Sequence, residues 1–211
     1  MKTDDLLRAL AADTKPRPLL RTTLALGMVP SLAIVALAVW FVLGFRADLL
    51  TALVTPVSVA RILLTGTLGF AAMRLALLLA RPEGAQSARL WPLAAVALAA
   101  LGLLAWAYVT TPAEARQMAT VGKTMKVCLV AIPLLSVLPV ATMLYVLRQG
   151  ATTAPMRAGF VAGVAGSGLS AAIYALHCTE DSPLFYVTWY GLAIMGVTLV
   201  STLIGARTLR W

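Results

Sequence analysis

Hydrophobic and polar positions in this chain fall into long blocks rather than alternating residue by residue. Apolar runs occupy residues 22–43, 56–80, 90–109, 127–147, 156–176 and 185–204, and the short segments between them collect Arg, Lys, Asp, Glu, Pro and Gly. A helix rises about 1.5 Å per residue and the hydrocarbon core of a bilayer is about 30 Å thick, so about 20 apolar residues cross it. The pattern therefore predicts an all-α membrane protein of six transmembrane helices. One sizeable polar stretch, residues 1–21, precedes them. In it Leu6, Leu7, Leu10 and Ala11 recur at the spacing of one helical face, Thr3 can cap the helix, and Asp4 and Asp5 suit its positive end. Pro16 and Pro18 stop this short amphipathic helix before the membrane. The expected organisation is a tail, residues 1–21, and a six-helix domain, residues 22–211.

Composition agrees. Of 211 residues 61% are hydrophobic and 12% charged, with a mean hydropathy of +0.91; soluble domains carry about 45–50% apolar and about 25% charged residues. An ordinary cytosolic globule, a disordered chain and a nucleic-acid-binding domain are excluded. The net charge of +9 does not restore the last of these, because the 17 Lys and Arg sit in ones and twos at the ends of the apolar runs. There they report topology. Lys2, Arg8, Lys15, Arg17, Arg21, Arg74, Arg81, Arg89, Arg148, Arg157, Arg207 and Arg210 lie toward one side, twelve in all, against five on the other: Arg46, Arg61, Arg116, Lys123 and Lys126. By the positive-inside rule both termini are expected in the cytoplasm. Trp40, Trp106, Tyr108, Tyr174, Tyr186 and Trp189 are then expected in an outer aromatic belt. Arg74, inside a run but about two turns from its end, is expected to snorkel to the inner interface. Pro133 and Pro139 are expected to kink the fourth span. Gly159, Gly163, Ser167 and Ala171, four apart on the fifth, are expected to let a neighbour pack closely.

Candidate chemistry is sparse. Cys128 opens the fourth span and Cys178 follows the fifth, in the segment His177-Cys178-Thr179-Glu180-Asp181, so the topology places both thiols at the outer face. Three uses stay open: a disulfide, a soft-metal site completed by His177, Glu180 or Asp181, or two small structural residues. Glu180 and Asp181, as neighbours in a loop, are expected mainly to face water. No Gly-rich phosphate loop, Ser/His/Asp set, HExxH or carboxylate pair within a span is present, so neither an enzyme nor a cofactor is implied. A small transporter or channel for a metal ion or solute is the competing class, disfavoured because no acidic residue lies inside a span. The tail could lay its leucine stripe in a partner's groove or on the lipid surface.

Several stretches together resemble one family: MKTDDLLRALAAD with PRPLLR, Lys126-Val127-Cys128-Leu129 leading into IPLLSVLP, TAPMRAG, YALHCTEDSPLFYVTWYG and the closing GARTLRW. The resemblance is to the NrsF family of membrane anti-sigma factors, and it covers essentially the whole chain. It implies a multi-pass protein of the bacterial inner membrane that holds an extracytoplasmic-function sigma factor inactive without touching nucleic acid. The sigma-facing stretch would fall on Leu6, Leu7, Leu10, Ala11, Ala12 and Asp13. The sensing pair, for heavy metal or oxidant, would fall on Cys128 and Cys178.

Overall fold

The computed structural model describes residues 19–210, together with Thr3 and Asp5. The tail residues Leu6, Leu7, Leu10, Ala11, Ala12 and Asp13 lie outside that range. The described chain is helical throughout: α1 (Leu20–Ala38, continued by a π turn over Val39–Leu43), α2 (Leu49–Ala52), α3 (Pro56–Leu79), α4 (Gly84–Ser87), α5 (Trp91–Thr110), α6 (Ala113–Val121), α7 (Met125–Arg148), α8 (Pro155–Tyr174) and α9 (Pro183–Thr208). Six stretches are long and apolar enough to cross a bilayer: Leu20–Leu43, Pro56–Leu79, Gly84–Thr110 (α4 with α5), Ala113–Arg148 (α6 with α7), Pro155–Tyr174 and Pro183–Thr208. The start positions follow proline chemistry. In α3, α5, α8 and α9 a proline occupies the first turn, where its missing N–H is not needed.

An even number of spans puts Leu19 and Arg210 at one end of the bundle, the terminal end. The connections 44–55, 111–124 and 175–182 gather at the other. Small residues decide which helix is central. Thirteen of the 20 residues of α8 are buried, and it packs against α3, α7 and α9. At Gly163 a Cβ would sit 2.7 Å from Thr198 Cα of α9, and at Gly168 it would sit 2.9 Å from Gly69 of α3. The expected close-packing face is thus real, and it serves contacts within the chain. α5 is peripheral, with Leu93 and Ala107 its only buried residues. α7 runs unbroken as a helix through Pro133 and Pro139.

One expectation needs correction here. Tyr174 and Tyr186 are not belt residues facing lipid; both are buried, and they pack in an apolar cluster with Cys128, Cys178, Phe185 and Tyr190. The Arg74 guanidinium lies 5.8 Å from the ring centre of Phe70, one turn earlier on α3.

Candidate functional site

The end of the bundle opposite the termini carries a buried polar core that the bilayer alone would forbid. Cys128, in the first turn of α7, is fully buried, and Cys178, four residues beyond α8, is 2% exposed. The two thiols sit in one buried cluster and are not joined by a disulfide. Tyr174 Oη is 3.4 Å from Cys128 Sγ. Tyr190 packs beside them, its buried hydroxyl without a partner among the described residues. The neighbouring Cys128 thiol holds the Cys178 thiol below the ordinary thiol range; burial opposes this, while the Arg61 charge assists it.

The segment carrying Cys178 is fixed by two buried arginines. Arg61, six residues into α3 and 1% exposed, donates through Nη1 to Glu180 O at 2.7 Å and through Nη2 to Cys178 O at 3.0 Å and Ala175 O at 3.1 Å. Arg46, in the α1–α2 connection, donates to Cys178 O at 3.3 Å. Both converge on Asp181. Arg46 grips its carboxylate with two parallel bonds of 2.9 and 2.8 Å, Ser58 Oγ donates at 2.7 Å, and Arg61 Nη2 lies 3.3 Å away. Asp48 closes the far side of Arg46 at 2.7 and 2.8 Å. Such forked, charge-assisted bonds are the strong class. Burial alone would raise the Asp181 pKa, but the hydrogen bonds from Arg46 and Ser58 and the Arg61 charge outweigh it and hold the carboxyl below its ordinary range.

The rest of the rim is equally specific. His177 Nδ1 is 2.7 Å from Gly44 O; a carbonyl can only accept, so Nδ1 carries the proton. Gly44 itself turns the chain out of the π segment at φ +78°. Glu180 accepts from Lys123 N at 2.7 Å, and Trp189 Nε1 donates to Thr120 O at 2.7 Å, which ties α6 and its following turn to α9.

Of the residues singled out in the sequence, the structure brings Cys128 and Cys178 together. It does not gather His177, Glu180 and Asp181 around them, for each has a different protein partner. Among the described residues no group of three or more His, Cys, Asp or Glu is placed to hold a metal ion. Glu180 and Asp181 are not simply solvated, contrary to expectation. Arg46 and Arg61 were not singled out, although a cation six residues into a span demands a buried acceptor set, and that demand was the available signal.

Comparison with known proteins gives a consistent picture. The family described as NrsF, negative regulator of sigma F, matches residues 10–211. The anti-sigma-F factor NrsF of Caulobacter vibrioides is 33% identical over the whole of both chains. The probable anti-sigma-F factor NrsF of Azospira oryzae is 34% identical, again over the whole of both. No solved structure matches.

Proposed function

The chain belongs to the NrsF family of negative regulators of sigma F, and we propose that it is itself a membrane-anchored anti-sigma factor. In this reading it is a regulator, not an enzyme. Residues 1–21 project into the cytoplasm from the inner membrane of a bacterium and hold an extracytoplasmic-function sigma factor, with Leu6, Leu7, Leu10 and Ala11 presenting the apolar stripe and Ala12 and Asp13 completing the contact. The thiol pair faces the periplasm and sets the affinity of that grip. The observation that carries the regulatory part is the match of the whole chain to two proteins named anti-sigma-F factor.

The sensing part rests on the site's chemistry. Two adjacent thiols can lose two protons and two electrons to an oxidant such as a peroxide, which leaves as water, forming one S–S bond. The same two sulfurs suit a soft, thiophilic ion. They do not suit a hard ion, because the nearby carboxylates are committed to arginines and to a backbone N–H. Either event changes Cys178, whose carbonyl is bound by Arg61 of α3 and Arg46 next to α1. Those two helices end or begin at the terminal face. A tenfold release of the sigma factor needs about 1.4 kcal/mol of coupling between the faces.

Retention of sigma factor on the solubilised full-length protein tests the tail assignment. The intact chain should retain one extracytoplasmic-function sigma factor of its own cell, and the Leu6→Asp/Leu10→Asp chain should lose it. Equal retention by both forms, or by neither under reducing, metal-free conditions, would overturn the assignment.

A further inference from the structure

A cleft of about 590 Å³ opens at the terminal end between the start of α1 and the end of α3. Gly150, in the turn between α7 and α8, lines it. That turn is pinned to α3 by the bond from Ala151 N to Ala80 O, 2.8 Å, and a Cβ at Gly150 would come within 2.5 Å of the same carbonyl. The walls are apolar, with Leu19 and Leu78 exposed on the side that faces lipid. Three guanidinium groups, Arg21, Arg74 and Arg81, line it. None of the three makes an ion pair or a side-chain hydrogen bond with a described residue. Arg74 and Arg81 are seven residues apart on one helix and its exit, about 10 Å along the axis. Positive charge is therefore layered from the interface down into the acyl region.

A cation at that depth with no counter-ion among the described residues calls for an anion, and the membrane can deliver one. We propose that this cleft binds an anionic phospholipid. Its phosphodiester would pair with the guanidinium groups, which match phosphate oxygens two at a time, and an acyl chain would lie along the leucine wall. Charge complementarity selects this occupant over a neutral lipid. The proposal is independent of the regulatory reading, since it uses neither the thiols nor the leucine stripe of the tail, only Leu19, Leu20 and Arg21 at its root. Lipid bound here would touch Leu19 and Arg21, the root from which the tail leaves the bundle.

Native mass spectrometry of the full chain, purified in detergent with equal amounts of phosphatidylglycerol and phosphatidylcholine, tests it. The intact protein should retain phosphatidylglycerol over phosphatidylcholine by about tenfold, the ratio that 1.4 kcal/mol confers. The Arg74→Gln/Arg81→Gln chain should fall to near parity, while Arg207→Gln/Arg210→Gln, with the same net charge at the same end, should keep the preference. Arg81→Gln alone, at an exposed position beyond the helix, supplies the test if the double variant does not fold. An unchanged preference in the cleft variants means that the tail carboxylates Asp4, Asp5 and Asp13 or a second copy fill the cleft, and the proposal fails. Equal loss in the control variant means that only net charge matters, and it fails as well.

Discussion

Replacing Asp181 by Asn isolates the charge that holds the thiol-bearing segment in place. The side chain keeps its shape, but one of the two oxygens gripped by Arg46 becomes an NH₂ group facing a donor. Arg61 meanwhile loses the carboxylate 3.3 Å from its Nη2. Breaking a fully buried ion pair costs about 3–5 kcal/mol, and hydrogen bonds to charged groups are worth about 1.5–3 kcal/mol. Arg46 and Arg61 are buried, yet the Asp181 side chain is 34% exposed, so water screens part of the loss and about 2 kcal/mol is the expected cost. In a chain of this length that corresponds to a fall of about 4–8 °C in Tm, read by circular dichroism or tryptophan fluorescence in detergent at pH 7. The pH dependence has a fixed sign. The folded-state pKa of Asp181 is depressed, so its contribution is complete above the unfolded value of about 3.9 and is lost as pH falls through the lower folded value. Wild type and variant should therefore differ at neutral pH and converge only at strongly acid pH. An unchanged Tm for Asp181→Asn at pH 7 would refute the claim that this carboxylate braces the site.

Two further predictions concern the same end of the molecule. Gly122 sits at φ +56°, and a Cβ there would meet the Phe185 ring at 2.6 Å and Glu180 Cδ at 2.9 Å; Gly122→Ala should cost about 1–3 kcal/mol, whereas Gly102→Ala, with open space around it, should leave the Tm unchanged or raised. The lowered pKa of Cys178 should let a small uncharged thiol reagent modify it at pH values below the ordinary thiol midpoint of about 8.5, followed by mass spectrometry. Arg61→Gln should move that midpoint upward, and an unmoved midpoint would remove Arg61 from the account.

The fold was legible because a bilayer imposes a simple length rule. All six apolar runs became helices, and their ends were marked by prolines and arginines that the sequence displays openly. The small-residue spacing of Gly159 and Gly163 likewise predicted the closest helix contact. The site was only half legible. Cys128 and Cys178 could be assigned to one face because topology brings them there, and the short rule of even and odd spans suffices for that. The arginine network could not be read the same way. Arg46 lies in the α1–α2 connection, Arg61 within α3 and Asp181 in the segment after α8, and their pairing depends on how α3 packs against α8. Tyr174 and Tyr186 misled for the related reason that an aromatic residue near a span end reads the same whether it faces lipid or core. α6 went unpredicted because its nine residues are amphipathic and polar on average, with no buried position to set a pattern.

The most direct test of the central claim is to measure sigma-factor affinity for the full chain in lipid nanodiscs before and after oxidation of the thiol pair. The protein should bind under reducing conditions. After peroxide treatment, with a Cys128–Cys178 disulfide confirmed by mass, its Kd should rise at least about tenfold, while the Cys128→Ser/Cys178→Ser chain binds equally tightly in both states. Binding that stays the same after the disulfide has formed would contradict the account, and so would equal weakening of the cysteine-free chain.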